Sequence, residues 1–330
     1  MWRVTVGAPC YNKIGFVEKS IEGILAQEDV DFEIIIIDDV STDGSFELVK
    51  RKYATHPKIR IERNPKNLGP SGTFNRALEL GTGTLFVLVS ADDFVVDKLA
   101  LAKQVEVFAQ KSGIVLVHTD WVDLNPTGQA IGKKHFRDYI CSGQDELQAL
   151  LVGNHINSSG TMYSREVLIE IGGFANHLPF TSDWDAHMQV CSKGNVAHIG
   201  QCLYARTILP GSLSANVDLQ SLQFQIIETI ERGITILKLS DSARVRNLTK
   251  QAYAFAYIQV AQHAVKHARL KEARQLLWRA RKEYPTVVLN RRFMALWLVS
   301  QFPFLSKRLL NLPMIPWRKI SLLFLDRNSS

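Results

Sequence analysis

The chemical signal in this chain of 330 residues lies in its acids: the adjacent pairs Asp38-Asp39 and Asp92-Asp93, and Asp183 two residues before Asp185. Neighbouring carboxylates repel each other unless a cation or a bound hydroxyl compensates. A divalent metal holding a diphosphate would do so at Asp92-Asp93. The competing reading is that Asp92 or Asp93 caps the helix that follows, as Asp often does. Asp38-Asp39 is followed by Val40-Ser41-Thr42-Asp43-Gly44, rich in turn-forming and helix-capping residues.

These acids need a scaffold, and the apolar runs predict one. Leu85 to Val89 reads as a strand buried on both faces of a parallel sheet, with Asp92 and Asp93 at its C-terminal tip. In open α/β sheets ligands bind at that edge. Strands are also expected at Val4 to Ala8, Phe32 to Ile37, Ile59 to Glu62 and Ile114 to Thr119. Helices are expected over about Phe16 to Gln27, Ser71 to Leu80 and Leu99 to Gln110, with Pro9 to Asn12 and Asn64 to Gly72 as loops. The alternation predicts a doubly wound α/β domain. A glycine-rich dinucleotide fingerprint is absent, which disfavours a dehydrogenase.

From Asp120 the pattern is mixed. It predicts a turn at Asn125 to Gly128, a helix from Gln144 to Val152, a strand from Gly160 to Tyr163 and a helix from Arg165 to Ile171 stopped by Gly172-Gly173. Thr181 or Ser182 should cap a helix that carries Asp183 in its first turn. Val196 to Ile199 and Leu203 to Ile208 read as two strands. Beyond Asp218 the period is helical: Leu219 to Leu239, Ala243 to His267 and Lys271 to Glu283. The expected division is a domain at 1–218, split into 1–119 and 120–218, followed by a helical region at 219–330.

Charge follows the same division. Residues 1–218 carry 20 basic and 26 acidic side chains, whereas 219–330 carry 19 and 6. A basic tail suggests an anionic partner. Phe293 to Leu305 is apolar but shorter than the roughly 20 residues a membrane span needs. With Leu309 to Leu325, Trp297, Trp317 and the flanking Arg and Lys pairs, it fits an amphipathic anchor on an anionic membrane surface. A homodimer through these helices is the other expectation. Four cysteines without Cys-x-x-Cys spacing argue against a metal knuckle or disulfide framework. No long apolar stretch follows Met1, so the expected location is the cytoplasm, peripheral on the inner face of the plasma membrane. No base-reading motif supports nucleic-acid binding.

Four segments in order, Val4-Thr5-Val6 leading to Pro9-Cys10-Tyr11-Asn12, Ile36 to Asp43, Asn67-Leu68-Gly69 with Asn75, and Ser90-Ala91-Asp92-Asp93, resemble the inverting family 2 glycosyltransferases of the GT-A fold. The resemblance covers about residues 4–215. It implies a doubly wound, mostly parallel nucleotide-sugar-binding sheet and a helical C-terminal appendage. It further implies that Pro9 and Tyr11 lie against the nucleotide base, that Asp39 accepts from the uracil ring NH, and that Asn67 and Gly69 belong to the same site. Asp92 would face the ribose or donor sugar, and Asp93 would bind Mn²⁺ or Mg²⁺, the ligand choice between the two staying open. Asp183 aligns with the family's catalytic base. The implied reaction is metal-dependent transfer from a nucleotide-sugar donor, UDP-linked in the first instance, to a glycan or lipid-linked glycan hydroxyl.

Three positions depart from the family pattern: Ser90 replaces the first acid of its Asp-x-Asp-Asp, Ser182 replaces a Glu, and Leu209 stands where a metal-adjacent His is common. They leave a silent nucleotide-sugar-binding or scaffold protein as the alternative. Either Asp and phosphate alone hold the metal, or His198 or another group substitutes for the missing His, and Trp121 and Trp184 are either sugar-stacking faces or core residues.

Overall fold

The computed structural model describes residues 2–133, 136–210, 217–237 and 243–302. These form two compact units, one of residues 2–143 and 156–210, the other of residues 144–155 and 217–302.

In the first unit β1 (Arg3–Cys10), β2 (Asp31–Asp38), β3 (Ile59–Arg63) and β4 (Leu85–Leu88) make the parallel half of the sheet. Between them run α1 (Val17–Leu25), α2 (Ser45–Tyr53) and α3 (Gly69–Leu80). Then come β5 (Phe94–Val95), α4 (Ala100–Gln110), β6 (Ile114–Leu124), β7 (Ala130–Lys133) and β8 (Tyr139–Cys141). Helix α5 (Gly143–Leu151) follows in the chain but belongs mostly to the second unit, and β9 (Met162–Ser164), α6 (Arg165–Glu170), α7 (Ser182–Cys191) and β10 (Asn195–Thr207) complete the first. Among the described residues the sheet has ten strands in the order β3-β2-β1-β4-β9-β6-β10-β5, with β7 on β6 and β8 on β10. Val4, Val6, Ile34, Ile36 and Val87 share a core with Val17, Ile21 and Ile24 of α1. The latter three recur at helical spacing, so α1 turns one apolar stripe to the sheet.

Several expectations change. Pro9 and Cys10 continue β1 rather than form a loop, because β1 pairs with β2 as far as Cys10 and Asp38. Strand β4 has the expected parallel neighbour β1 on one side but antiparallel β9 on the other, so beyond β4 the sheet is mixed. The two strands expected at 196–208 are one, β10, whose register slips between Ile199 and Cys202. Gly200-Gln201 is thus an irregularity within one strand and not a break between two. Asn125 to Gly128 does turn, joining β6 to β7.

The second unit contains most of α5 with α8 (Leu219–Ile236), α9 (Ala243–Lys266), α10 (Leu270–Glu283), a 3₁₀ turn (Pro285–Leu289) and α11 (Arg291–Gln301). Helix α9 packs on α8, α10 and α11. Buried Ala252, Ala256, Ala261, Ala264, Ala273 and Ala280 keep the α9 and α10 surfaces slim enough for close approach. Asp218 starts α8 by accepting the Gln220 and Ser221 amides, as Asn290 starts α11. No described helix is long and apolar enough to cross a membrane. The rest of the expected anchor, beyond Phe302, lies outside the described residues.

Candidate active site

Strands β6 and β10 run parallel to β4, because the two antiparallel pairings through β9 cancel. The C-terminal ends of β1, β2, β4, β6 and β10 therefore share one edge, and the sequence-predicted acids collect along it.

The end of β1 ties the two acid pairs together. The Pro9 carbonyl accepts from the Ala91 amide at 3.1 Å, and the Cys10 carbonyl accepts from the Asp39 amide at 2.8 Å. Tyr11 follows, with its ring exposed. Asn12 is left-handed (φ 52°). Its amide donates to Ser41 Oγ at 3.0 Å, its Oδ1 accepts from the Thr42 amide at 2.8 Å, and the Lys13 amide donates to Ser45 Oγ at 2.9 Å. Val40 is left-handed too (φ 66°), a costly conformation for a β-branched residue that persists only where its surroundings enforce it.

Asp38 and Asp39 have separate environments. Buried Asp38 faces Arg63 at 3.2 Å and accepts the Ser41 amide at 3.0 Å, which ties it to the sheet edge. Asp39, also buried, accepts from Asn64 Nδ2 (2.7 Å) and the Leu68 amide (2.8 Å) on Oδ1, and from the Gly69 amide (3.0 Å) on Oδ2. It thus serves as the N-cap that Leu68 cannot provide for α3. Of about four lone-pair positions on a carboxylate, roughly one remains for another donor. Asn67 Nδ2 reaches the Asp39 carbonyl at 3.4 Å. Asn75 serves elsewhere, bonding both the amide and the carbonyl of Phe174 at 2.8 Å.

Asp92 and Asp93 differ as well. Asp92 is half-buried and pairs with Lys13, Nζ to Oδ2 at 2.7 Å. Asp93 is buried, and its carboxyl is pushed up to about 7, first by burial and then by the charge of Asp92. The Ser159 hydroxyl, the Thr207 amide at 3.1 Å and the Arg206 guanidinium oppose that rise. Ser159 Oγ also accepts from the Ser90 amide at 3.2 Å, so Ser90 enters the site through its backbone.

Asp183 stands half-buried in the first turn of α7. Burial pushes its carboxyl up to about 6, against the Trp184 amide (2.8 Å), its own amide and the Arg206 charge. Arg206 thus acts through its positive charge on both Asp93 and Asp183. It is held by Asp123 (Nη2 to Oδ1, 2.8 Å) and lies over the Trp121 ring, 5.7 Å from its centroid. The expected cap is only half right: Thr181 occupies the N-cap, but its side chain makes no capping hydrogen bond. Asp185 is fully buried and accepts from Gln189 at 2.6 Å.

Trp184 is buried rather than presented to a sugar, and Trp121 lies under Arg206. His198 does not fit the role of substitute metal ligand. It is buried in mid-β10, 3.3 Å from Asp120, with Nδ1 3.1 Å from the Arg137 carbonyl and its ring stacked on Tyr139. The segment from Arg206 is described as far as Pro210, and its continuation lies outside the described residues. Sequence reasoning missed Lys13 and Ser159. Lys13 was detectable as a cation directly after Pro9 to Asn12, whereas Ser159 belongs to no recognisable pattern.

A divalent cation fits here only in a particular way. Among the described residues no three His, Cys, Asp or Glu side chains converge on a metal position. The crowded Asp92-Asp93 pair suits a hard cation that takes its remaining ligands from a diphosphate and water.

With this geometry, the relatives are informative. Residues 5–172 match the family described as Glycosyl transferase family 2. A chondroitin synthase of Pasteurella multocida (strain Pm70) is 23% identical over 218 residues, 66% of this chain and 22% of that protein. A hyaluronan synthase of Pasteurella multocida is 22% identical over 205 residues, 62% of this chain and 20% of that one. The chain thus spans about a fifth of the length of these curated relatives. Among solved structures, S. aureus TarS residues 1–349 in complex with UDP-GlcNAc superposes with a TM-score of 0.59 at 15% identity, covering 86% of this chain and 90% of that one. The mannosyltransferase PcManGT of Pyrobaculum calidifontis, in complex with GDP-Man and Mn²⁺, gives 0.53 at 18% identity, covering 92% and 88%. These neighbours share the GT-A glycosyltransferase fold. With half its length matched by the family and its acids gathered on one sheet edge, the chain belongs to glycosyl transferase family 2.

Proposed function

We propose that the chain transfers a sugar from a nucleoside-diphosphate donor, UDP-linked in the first instance, to a hydroxyl of a glycan or lipid-linked glycan, with inversion. The observation that carries this reading is the gathering of Asp39, Asp92 and Asp93 at the C-terminal ends of β2 and β4, tied to the end of β1 by the Ala91–Pro9 and Asp39–Cys10 backbone bonds. A carboxyl at about 6 is ionised at neutral pH yet more basic than an ordinary Asp, which suits the removal of an acceptor proton as the new bond forms. Asp183 holds that proton while the acceptor oxygen attacks the anomeric carbon from the face opposite the diphosphate. Asp39 offers its remaining acceptor position to the ring NH of the base, beside Pro9, Tyr11, Asn67 and Gly69. Asp92 and Asp93 would hold Mn²⁺ or Mg²⁺, which when bound offsets the charge of the departing diphosphate. The UDP-GlcNAc complex supports a UDP-sugar, the GDP-Man and Mn²⁺ complex a nucleotide sugar with metal, and the two synthase names a glycan.

On this reading residues 1–218 form the catalytic domain, and the basic region at 219–330 brings it to an anionic membrane surface, on the cytoplasmic face. Exposed Trp278, Leu289, Met294 and Trp297 among Arg and Lys support that placement, and a homodimer through these helices is the alternative. The decisive experiment incubates the full chain with UDP- and GDP-sugars, Mn²⁺ and a panel of glycan and lipid-linked acceptors. Transfer by the wild type that is lost in Asp183→Asn is expected. UDP binding without transfer to any acceptor would instead favour the silent binding protein suggested by Ser90, Ser182 and Leu209.

A further inference from the structure

We propose that Lys13 is an exchanging cation of the donor site: it holds Asp92 in the nucleotide-free protein and passes to the diphosphate when nucleotide and divalent cation bind together. The inference rests on the nucleotide-sugar reading above and adds an order of binding to it.

The Lys13 ammonium lies 2.7 Å from Asp92 Oδ2, although the two residues come from different loops. Its backbone cannot travel. The Lys13 amide is held by Ser45, and its carbonyl accepts from the Phe16 and Val17 amides, both at 2.9 Å, at the entry to α1. Only the side chain is free to exchange partners, and a flexible four-carbon stem bearing a point charge suits that task. Both side chains of the pair are about one-fifth exposed, 22% and 17%, so the contact sits within reach of a ligand. Arg206, another cation of the site, is poorly placed for exchange because Asp123 and the Trp121 face hold it.

The consequence is competition. A carboxylate bonded to an ammonium accepts a divalent cation only against like-charge repulsion. Ser90 stands where a third acid would have offset that repulsion. The two negative charges of a diphosphate resolve the conflict, since they give Lys13 a new partner and bring ligands for the metal. Divalent cation alone should therefore bind poorly, and nucleotide should recruit it.

The test compares the full-length wild type with Lys13→Gln and Lys13→Arg in two assays. One measures Mn²⁺ binding without nucleotide by electron paramagnetic resonance of the free ion. The other measures UDP affinity at saturating Mn²⁺ by calorimetry. Lys13→Gln should tighten Mn²⁺ binding to the nucleotide-free protein and weaken UDP binding with Mn²⁺, each by about tenfold or more. Lys13→Arg, which keeps the charge, should lie close to wild type in both. Movement of both affinities in the same direction, or of neither, would overturn the exchange. Because the pair is partly exposed, Lys13→Gln should unfold at nearly the wild-type temperature, so weakening through misfolding is recognised by a lowered midpoint. Absence of UDP binding by the wild type would instead overturn the nucleotide-sugar reading, and the exchange with it.

Discussion

Replacing Asp183 by Asn should make the protein more stable and far less active. The side chain keeps its size, and the amide oxygen can still accept from the Trp184 amide, now 2.8 Å from the carboxylate. What disappears is a charge that burial disfavours. The Asp183 carboxyl titrates at about 6 in the folded chain, above its ordinary 3.8. Between those values the folded state holds the proton more tightly than the unfolded state. The stability this group contributes is therefore complete below 3.8 and lost as pH rises through about 6. At pH 7.5 the ionised group costs roughly 3 kcal/mol by its shift, and about 1–3 kcal/mol after allowing for relaxation around a half-buried side chain. Urea denaturation without metal should show Asp183→Asn stabilised by that amount at pH 7.5 and nearly level with wild type at pH 3.5. Transfer should fall by about 10² to 10⁴-fold, the typical contribution of a general base. In the wild type it should rise with pH through about 6. A variant destabilised at pH 7.5, or shifted equally at both pH values, would show that the carboxyl is not raised. Full transfer by Asp183→Asn together with its loss in Asp185→Asn would move the base to the other acid.

Asp39→Ala should weaken UDP binding in calorimetry and lower stability by about 1–3 kcal/mol, because Asn64 and the Leu68 and Gly69 amides lose an acceptor. Unchanged UDP affinity would remove Asp39 from the site. Mn²⁺ should tighten UDP binding, and Asp93→Ala should abolish that gain; its survival in Asp93→Ala with loss in Asp92→Ala would reverse the ligand assignment. Val40→Gly removes the steric cost of a left-handed β-branched residue and should raise the urea midpoint, equivalent to about 1 kcal/mol, with UDP affinity retained. The full chain should co-sediment with vesicles containing phosphatidylserine but not with neutral ones, and lose binding in high salt or on Trp297→Ala; equal binding to both vesicle types would refute an electrostatic anchor.

The parts of this molecule that sequence makes legible are those where a local pattern is also the physical cause. Ile34 to Ile37 and Leu85 to Leu88 are buried strands because contiguous large apolar residues leave no face for water, and acids follow each. Strands β5, β7 and β8 escape such reading. They span two to four residues, and β7 is exposed throughout, so they exist because β6 and β10 offer them backbone partners. Val196 to Ile199 and Leu203 to Ile208 read as two strands because the break at Gly200-Gln201 gives the same signal whether the chain leaves the sheet or slips its register within one strand. Asp92 and Asp93 could be singled out as a pair but not told apart, since one meets Lys13 and the other Ser159 and Thr207, all distant in sequence.

The same distinction explains why the acids are reliable landmarks and incomplete guides. Asp39 is legible because it ends a strand, yet its structural task is to cap α3, a helix that begins with Gly69-Pro70 and has no capping side chain of its own. An acid fixed in that way points its remaining lone pair in a constant direction. Asn12 and Val40, both left-handed, are held by reciprocal bonds between their loops, so the two walls of the crevice constrain each other. Strain of this kind, about 1–3 kcal/mol per residue, persists only where the surroundings over-determine the backbone. Here the surroundings are the ends of β1 and β2, joined through the Cys10 carbonyl and the Asp39 amide. The part of the site around Asp39, where the proposed donor's base would lie, is therefore rigid by its own hydrogen bonds. At Asp92 the holding contact is instead a single flexible lysine, which on the proposed reading leaves the side that would take the diphosphate as the part of the site able to respond to its ligand.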